Sequence, residues 1–293
     1  MVGQRGLPSG LVVTAFLLPS LLGLLLVRVF PMIAALGISF TDWQLISPPR
    51  WVGLANYVDL FSRPEFWQAL LHTLTYIAGY VPAVMALGFV AALAMNVPRR
   101  GLSVHRVAFF APVVSSWVAV SIIWKWLLNP VYGPVNQFIG WLGLRQPGWM
   151  LDPSWAMPSV IIASVWKDIG FVMVLYLAGL QNINPELLEA AEIDGANRWA
   201  RLRRIVIPLL SPTTFMVVAL LLINSFQVFE QVWIMTEGGP GGATTVLVER
   251  IYRHAFRYFR MGTASAYSWV LFAIVLAVTI LQLKLQKRWV FYQ

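Results

Sequence analysis

The sequence predicts an all-α integral membrane protein with six transmembrane helices. Hydrophobic residues make up 59% of its 293 residues and charged residues only 11%, whereas about a quarter of the residues of a soluble globular protein are charged. The mean hydropathy is +0.71. A helix needs about 20 mainly apolar residues to cross a bilayer, and six runs of suitable length occur in the chain. We therefore expect a single transmembrane domain over residues 1–293.

The six predicted spans follow one another with short connections. The first is long enough to tilt or to extend beyond the bilayer, and Pro31 is expected to kink it. No small-residue cleavage site follows the apolar run before Phe30, so we expect a retained span and not a cleaved signal peptide. The predicted spans lie at about Leu11–Phe40, Ala69–Met95, Val104–Leu128, Met157–Leu180, Leu209–Trp233 and Ala264–Leu283.

The distribution of Lys and Arg around these spans predicts that both termini are cytoplasmic, because positive residues concentrate on that side of a membrane. With this orientation eleven Lys and Arg fall on the inner side and eight on the outer side, while Arg28 and Lys167 lie within spans. The inner set is Arg5, Arg99, Arg100, Arg106, Arg198, Arg201, Arg203, Arg204, Lys284, Lys287 and Arg288. The net charge of +9 is attributed to cytoplasmic loops that face anionic lipid, rather than to nucleic-acid binding.

One outer segment, Val248–Phe259, weakens this charge bias. Its apolar residues fall on one helical face, and Glu249, Arg253 and Arg257 fall on the other. The pattern predicts an interfacial amphipathic helix whose basic face either reaches lipid headgroups or forms part of a docking surface. The preceding stretch Thr236–Thr245 is rich in Gly and is expected to be a flexible loop.

The most polar part of the chain is the stretch Asn184–Pro208. Asn184 is a suitable N-cap and Pro185 suits a first helical turn, so a short helix is expected to begin there. Gly195 can supply a reversal of the chain, and the residues after it predict a second short helix that ends or bends at Pro208. A polar helical hairpin between two membrane spans is expected to touch another molecule on the cytoplasmic side.

Residues for catalysis are missing from the sequence. The chain has no cysteine, so a disulfide, thiol chemistry and a cysteine-ligated metal are excluded. It also lacks the GxxxxGK phosphate loop and the HExxH and GxSxG motifs. Its three histidines, His72, His105 and His254, are scattered, and we interpret them as packing or interface residues. We therefore expect neither an enzyme nor an ATPase site, and no metal or cofactor bound by this chain.

Polar side chains inside membrane spans either join helices or serve a function. Asn224, Gln227 and Gln231 stand at positions i, i+3 and i+7 of the fifth predicted span and would share one helix face. Amides offer hydrogen-bond donors and acceptors, which suits the hydroxyls of a sugar. These residues are therefore candidates for a solute path, with hydrogen bonding between helices as the alternative.

The third and fourth predicted spans supply further candidates. Lys167 and Asp168 lie near the middle of the fourth span and need not pair with each other, since adjacent residues do not share a helix face. Trp117 and Trp166 could stack on a sugar ring or simply pack between helices. Trp117, Trp166 and Lys167 complete the predicted solute path.

Several residues of the polar hairpin match a known motif. The chain resembles binding-protein-dependent ABC importer permeases of the carbohydrate-uptake type, with their EAA motif matched by Glu189-Ala190-Ala191, Asp194-Gly195-Ala196, Trp199, Ile205 and Pro208. Weaker matches occur in the expected order at Ser39–Trp43, Gly53–Tyr57, Asn129-Pro130, Gly133, Asn136, Trp166-Lys167, Gly170, Thr236–Pro240, Ile251-Tyr252, Ala255-Phe256 and Gly262. Leu202 stands where the family often has Phe, which implies altered packing. The resemblance covers nearly the whole chain and is to the smaller, six-span type.

The resemblance implies the type I ABC importer permease fold and a role in importing a sugar or a related polyhydroxy solute across a bacterial inner membrane. The implied partners are a second homologous permease subunit, two ATP-binding subunits that hold ATP and Mg²⁺, an extracytoplasmic solute-binding protein and membrane lipid. The hairpin over residues 184–208 would be the coupling helix, which would sit in a groove of an ATP-binding subunit and move with it.

The implied coupling residues are Glu189, Ala190, Ala191, Asp194, Gly195 and Ala196. Glu189 would make a charge-assisted contact with a basic group of the ATPase. The two alanines after it would keep the helix slim enough to enter a groove, and Asp194 and Gly195 would fix the turn.

Two other functions are weighed against a sugar importer. A permease for glycerol-3-phosphate or another polyol phosphate would need cationic groups near the solute, and Lys167 and Arg28 are the candidates within spans. A secondary transporter would need inverted repeats and a membrane carboxylate for ion coupling. Asp168 is a deep carboxylate, but no repeat is evident in the sequence.

Overall fold

The computed structural model describes residues 9–97 and 101–289, without the side chains of residues 9–12, 15 and 287–289. Arg5, Arg99 and Arg100, which the charge analysis placed on the inner side, lie outside the described residues, as do the side chains of Lys287 and Arg288. Within the described ranges the chain is mostly helical, with one short pair of strands.

The helices of the described ranges are numbered in chain order. They are α1 (Ser9–Leu24), α2 (Phe30–Ser39), α3 (Ala55–Ser62), α4 (Pro64–Met95), α5 (Leu102–Val114), α6 (Trp117–Leu127), α7 (Pro134–Trp141), α8 (Pro153–Gln181), α9 (Pro185–Ile193), α10 (Arg198–Arg201), α11 (Ile207–Leu209), α12 (Ser211–Phe226), α13 (Glu230–Met235), α14 (Leu247–Tyr252) and α15 (Met261–Trp289). A 3₁₀ turn covers Trp149–Leu151, and π-helical turns cover Leu25–Val29, Leu202–Val206 and Arg253–Arg257. The strands are β1 (Thr41–Asp42) and β2 (Arg50–Trp51).

The described residues include four helices that are long and apolar enough to cross a membrane. These are Phe16–Ser39, Pro64–Met95, Pro153–Gln181 and Met261–Gln286. Two bent helix pairs raise the number of candidate spans to six: α5 with α6, bent by 99°, and Arg198–Leu209 with α12, bent by 63°. The protein is thus an all-helical membrane protein with four to six candidate spans among its described residues. The first of these bends breaks the third predicted run, and the second lies at the start of the fifth.

The third run breaks at a pair of serines. Ser115 and Ser116 have extended backbone, with ψ of 144° and 140°. The Ser116 hydroxyl accepts a hydrogen bond from the backbone nitrogen of Val118 at 3.1 Å and so caps the start of α6. Serine is a favoured N-cap, because its short side chain satisfies a backbone donor that has no helical partner. The break is therefore encoded locally, although hydropathy alone does not reveal it.

The first predicted span remains continuous around its proline. The π-helical turn Leu25–Val29 ends two residues before Pro31, and helix continues on both sides of it. A proline ring clashes with the carbonyl four residues earlier in a regular α-helix. The wider turn makes room for the ring, so the expected kink at Pro31 takes the form of a widened turn.

The chain divides into two compact units, residues 1–62 with 251–270 and residues 63–250 with 271–293. In the first unit β1 pairs antiparallel with β2, placing Thr41 opposite Trp51. The Asn56 amide donates hydrogen bonds to the carbonyl oxygens of Ser39 at 2.8 Å and Thr41 at 2.9 Å. A Cβ built on Gly262 would overlap the carbonyl oxygen of Thr41. Several residues that match the family pattern in the sequence therefore hold this unit together.

Replacing Asn56 with Ala is expected to destabilise the first unit. Two carbonyl oxygens would lose their donor, and a buried polar group left unsatisfied costs about 1–3 kcal/mol. We expect the thermal midpoint of the purified protein in detergent to fall by several degrees, at roughly 2–4 °C per kcal/mol for a protein of this size. Gln44→Ala is the matched control, because the Gln44 amide is exposed and lies 3.4 Å from Asp42. Equal midpoints for the two variants would contradict the prediction.

In the second unit, α4 and α8 are the central pair of helices. A Cβ on Gly88 of α4 would lie 2.6 Å from Cγ1 of Val172 on α8. On α8, a Cβ at Gly170 would overlap the backbone oxygen of Phe109 in α5. Small residues let membrane helices approach backbone to backbone, where dispersion is the main attraction. These two glycines therefore set how closely α4 and α5 pack against α8.

The start of α8 is fixed by Asp152. Its carboxylate accepts hydrogen bonds from the hydroxyl of Ser154 at 2.7 Å and from the backbone nitrogen of Ser154 at 2.9 Å. These bonds favour the ionised form and lower the pKa of the Asp152 carboxyl. Nearby, the Asn136 amide donates to the carbonyl oxygens of Pro130 and Pro147 at 3.0 and 3.1 Å. The loop before α8 is therefore braced by Asn136, which belongs to the family pattern matched in the sequence, and by Asp152, which does not.

Candidate functional site

The polar hairpin forms two helical pieces around a tight turn. Asn184 caps α9 by accepting a hydrogen bond from the backbone nitrogen of Glu186 at 3.0 Å. Gly195 has φ of +81°, a left-handed conformation that glycine adopts without a steric penalty. Asn197 then caps α10 by accepting from the backbone nitrogen of Ala200 at 2.8 Å. The Asn184 cap and the reversal at Gly195 agree with the sequence interpretation, whereas the Asn197 cap was missed.

One ion pair closes the hairpin. Nη1 of Arg201 lies 2.6 Å from Oε2 of Glu192, and the two side chains are 20% and 67% exposed. At such exposure solvent screens the pair, which contributes about 0–1 kcal/mol to stability. Sequence reasoning did not find this pair, because it joins two different helices across the turn.

The first helix of the hairpin and its turn present exposed carboxylates, while exposed arginines follow in the second half. The side chains of Glu189 and Asp194 are exposed, while those of Ala191 and Ala196 are half-buried. Large apolar side chains stand beside them, with Ile193 87% exposed and Trp199 67% exposed. Within the described part of the chain Glu189 makes no hydrogen bond or ion pair. The hairpin therefore offers an exposed carboxylate together with exposed apolar side chains, a mixture that suits a docking contact.

The hairpin returns to the membrane through a bent joint. The π-helical turn Leu202–Val206 precedes Pro208, and the chain then bends by 63° before α12. A Cβ on Gly179 of α8 would lie 2.8 Å from Cδ2 of Leu210, so the joint packs closely on α8. A cavity of about 260 Å³ lies beside the joint, lined by Met85, Ala86, Phe89, Tyr176, Ile207, Leu210 and Thr214.

A polar chain of side chains crosses the helices of the second unit. The Tyr80 hydroxyl donates to Oδ2 of Asp168 at 2.7 Å, and the ring of Tyr80 stacks on Tyr76 at 5.2 Å between centroids. Gln231 Nε2 in turn donates to the Tyr76 hydroxyl at 3.3 Å. Asp168, on α8, therefore has partners from α4, and Gln231 of α13 joins the same network.

Lys167 has different partners from its neighbour Asp168, as the helical geometry predicts. Its side chain is 4% exposed, and Nζ donates to the carbonyl oxygen of Val113 at 3.0 Å. The same ammonium lies 4.9 Å from the centroid of the Trp117 ring. A lysine at the centre of a membrane helix costs about 3 kcal/mol on insertion scales, and these two contacts offset part of that cost. The ammonium of Lys167 is thus already bound by groups of the protein itself.

The three amides of the fifth predicted span do not share a helix face. Helix α12 ends at Phe226, Gln227 is its C-cap, and Phe229 has φ of −149° and ψ of −61°. Gln231 lies in the separate helix α13 and is 6% exposed. The prediction of a common face is therefore wrong, because the break removes the helical relationship between the three positions. Asn224 and Gln227 remain exposed on one side of the break.

The remaining tryptophan of the predicted path lies at a helix surface. Trp166 is 45% exposed, and its ring packs edge to face against Trp124 at 5.7 Å. An exposed indole with one face supported by another ring can stack on an apolar ligand surface.

The glycine-rich stretch Thr236–Thr245 is a series of turns braced by its own hydrogen bonds. The hydroxyls of Thr236 and Thr244 are 2.7 Å apart, and the Thr244 hydroxyl donates to the carbonyl oxygen of Gly239 at 2.8 Å. Glu249, expected on an exposed polar face, is fully buried. The expectation for Glu249 was wrong because packing with other segments outweighed the local amphipathic pattern. The stretch borders a cavity of about 370 Å³ lined by Lys125, Asn129, Pro130, Met150, Leu151, Met235, Thr236, Glu237, Gly239 and Pro240.

Among the described residues no group of three or more His, Asp and Glu side chains could hold a metal ion. His72 is part of the packing, since its Nδ1 lies 3.1 Å from the carbonyl oxygen of Thr245.

Comparisons with known proteins agree with the arrangement of these helices. Residues 7–290 match the family described as "Binding-protein-dependent transport system inner membrane component". The "Probable ABC transporter permease protein YesP" of Bacillus subtilis is 36% identical over 284 residues, which cover 95% of this chain and 91% of that protein. The "Probable starch degradation products transport system permease protein AmyD" of Thermoanaerobacterium thermosulfurigenes is 33% identical over 278 residues, covering 93% of each.

A solved structure shows the same fold. It is a crystal structure of a bacterial alginate ABC transporter in complex with an alginate pentasaccharide-bound periplasmic protein. Its matching chain has a TM-score of 0.83 and 26% identity, with 94% of both chains covered. The helices described above therefore have the ABC importer permease fold. In such systems ATP hydrolysis belongs to a separate subunit, and the permease is a multi-pass protein of the inner membrane. With a family match over nearly its whole length and a relative 36% identical, the chain belongs to the binding-protein-dependent ABC transporter permeases.

Proposed function

We propose that this permease translocates a sugar or a related polyhydroxy solute that an extracytoplasmic binding protein delivers. The observation that carries the proposal is the pair of exposed amides, Asn224 and Gln227, at the break after α12. Exposed amides are costly within a bilayer unless they have a polar partner. The hydroxyls of a sugar could be that partner, because each offers a hydrogen-bond donor and acceptors. A relative named for starch degradation products and a similar chain from an alginate transporter support a saccharide.

The contacts of Lys167 weigh against a phosphorylated solute. A phosphate needs a cation that is free to meet it. The Lys167 ammonium instead donates to Val113 and lies over Trp117. Lys167 therefore gives no specific support to import of glycerol-3-phosphate or another polyol phosphate.

The exposed hairpin supports a role as the coupling helix for ATP-binding subunits. Its proposed coupling residues are Glu189, Ala190, Ala191, Asp194, Gly195 and Ala196. The carboxylate of Glu189 is exposed one helical turn before the exposed Ile193, and Trp199 of the same hairpin is also exposed. A groove with a basic group could pair with the carboxylate and cover the apolar side chains. Closure of two ATP-binding subunits would then push the hairpin and rock the helices attached to it.

The complex proposed here contains a second homologous permease, two ATP-binding subunits and a binding protein outside the membrane, with lipid around the spans. Helix α5 supports the permease partner, since none of its residues is buried within the chain. The same helix carries exposed apolar side chains such as Val104, Val107 and Val114. A second permease or lipid would cover this face.

Reconstitution of the complete complex tests the function. The binding protein that co-purifies with the complex would be denatured, and its bound solute identified by mass spectrometry. Uptake of that solute into proteoliposomes would then be measured with and without ATP. We expect an oligosaccharide or polyol and uptake that depends on ATP. An amino acid, a phosphate ester or ATP-independent uptake would contradict the proposal.

Replacing Asn224 and Gln227 with Leu is expected to weaken the response to solute. Each variant loses hydrogen bonds worth about 0.5–1.5 kcal/mol, so stimulation of ATP hydrolysis by solute-loaded binding protein should fall about three- to tenfold. Gln231→Leu is the control, since this buried amide bonds to Tyr76 and its loss should lower stability instead. Unchanged stimulation in the double variant would assign Asn224 and Gln227 to contacts between helices.

Reporters at the chain ends are expected to give cytoplasmic signals, because inner flanks carry more Lys and Arg than outer flanks. A fluorescent protein fused before residue 1 or after residue 293 should fluoresce. Alkaline phosphatase inserted at Gly143, in a predicted outer loop, should be active. An active phosphatase fused to either end would overturn this orientation.

A further inference from the structure

The break in the third predicted span is held by one side chain from another helix. Helix α5 ends at Val114 and α6 begins at Trp117, with a bend of 99° between them. Nζ of Lys167 donates to the carbonyl oxygen of Val113 at 3.0 Å, and it lies 4.9 Å from the centroid of the Trp117 ring. A single ammonium on α8 therefore contacts both sides of the break.

The position of Lys167 is set by Gly170, three residues later on the same face of α8. Because a Cβ on Gly170 would overlap the backbone oxygen of Phe109, α5 and α8 lie backbone to backbone at this point. Val113 is one turn beyond Phe109 along α5, in the last turn of that helix. Carbonyl groups of a last turn lack helical partners and carry partial negative charge, so they attract a cation. Gly170 sets the distance between the helices, and Lys167 supplies the donor.

Trp117 contributes from the other side of the break. It is the first residue of α6, and Ser116 caps that helix through the backbone nitrogen of Val118. The face of an indole attracts a cation, and the attraction grows when water is excluded. Lys167 is buried, so its ammonium meets the ring in such an environment. Three groups within residues 113–117 therefore fix the joint between α5 and α6. They are the carbonyl of Val113, the N-cap hydroxyl of Ser116 and the ring of Trp117.

We propose that Lys167 is a positioning residue that keeps the joint between α5 and α6 bent during transport. Without Lys167 the angle between α5 and α6 would be free to open, and the extended backbone of Ser115 and Ser116 between them would move. Broken helices near the bilayer midplane are where transporters expose polar backbone groups to a solute. In that respect the inference rests on the proposed function. It assigns Lys167 to the shape of the path, and the ammonium does not bind the solute.

Spin labels can measure this joint directly, because the chain has no cysteine of its own. Val104→Cys and Trp126→Cys place labels on exposed sites of α5 and α6. With a rise of 1.5 Å per residue, the two sites lie about 20 Å apart when the joint is bent and about 33 Å apart in one straight helix. Distances would be measured by electron paramagnetic resonance in the assembled transporter, with cysteine-free partner subunits, in lipid nanodiscs.

The expected result is a single short distance in the parent and a shift toward the long distance in Lys167→Met. Lys167→Arg retains a cationic donor and should keep the short distance. Lys125→Met is the matched control, because Lys125 lies on α6 and its ammonium also donates to a carbonyl oxygen, that of Ile234 at 3.3 Å. It should also keep the short distance. An unchanged distance in Lys167→Met would overturn the proposal.

A second variant covers the case in which Lys167→Met does not assemble. Trp117→Leu removes the ring and retains the bond to Val113, so it should broaden the distance distribution, and an unchanged distribution would overturn the proposal. ATP hydrolysis by the parent complex is measured in the same samples with and without solute-loaded binding protein. If loaded binding protein does not stimulate hydrolysis while Lys167→Met still shifts the distance, the proposed function would be contradicted and the role of Lys167 supported.

Discussion

The double variant Glu189→Gln and Gly195→Val is expected to lose ATP-driven solute uptake by at least tenfold. A hydrogen bond to a charged group contributes about 1.5–3 kcal/mol, and Glu189 presents an exposed carboxylate for such a bond. Gly195 has φ of +81°, where a side chain adds strain of about 1–2 kcal/mol. The variant would thus lose both a contact and the shape of the turn. Uptake, ATP hydrolysis and co-purification of the ATP-binding subunits would be measured on the same preparation.

Two controls separate coupling from folding in this experiment. Glu186→Gln alters another exposed carboxylate of α9 that lies outside the matched motif, and it should retain uptake. Gly195→Asn should be milder than Gly195→Val, because asparagine tolerates the left-handed conformation better than β-branched residues do. No other atom lies within 4 Å of a Cβ at this position, so the difference would report backbone strain rather than a clash. Full uptake by the double variant would refute the assignment of the hairpin as the coupling element.

Gly170→Ala is expected to be the most damaging small substitution in α8. The new methyl group would overlap the backbone oxygen of Phe109, and a backbone atom cannot move aside as a side chain can. Overpacking of this kind costs about 1–3 kcal/mol. Displacement of α5 would also lengthen the contact between Lys167 and Val113. We expect a lower thermal midpoint in detergent and a weaker yield of assembled complex.

The matched control for this substitution is Gly37→Ala. Gly37 is also helical and lies in a candidate span, but no other atom lies within 4 Å of a Cβ built there. Alanine favours helix over glycine by roughly 0.5–1 kcal/mol, so this variant should be neutral or slightly more stable. Similar losses in both variants would show that the backbone contact of Gly170 is not the cause.

Features encoded by neighbouring residues could be predicted from the sequence. The cap at Asn184 and the reversal at Gly195 depend on side-chain length and backbone freedom, which are local properties. The membrane class followed from composition and the long apolar runs. The EAA resemblance supplied the family, which the comparisons confirm.

Helix breaks that hydropathy does not register, and features that depend on distant segments, could not be predicted in this way. Hydropathy treats Ser115 and Ser116 as part of an apolar run, although they end one helix and begin another. The common face of Asn224, Gln227 and Gln231 failed because periodicity assumes that the helix continues. The partners of Lys167 belong to two other helices, and no spacing along α8 reveals them. Burial of Glu249 likewise depends on the segments packed around it.

The widened turns before Pro31 and Pro208 have a consequence for how related sequences are aligned. A π-helical turn holds one more residue than a regular α-helical turn, so deleting one residue from Leu25–Val29 or Leu202–Val206 can restore a regular turn. The helices on either side would keep their facing surfaces. A relative that is one residue shorter at one of these places would therefore be expected to retain the same contacts between helices.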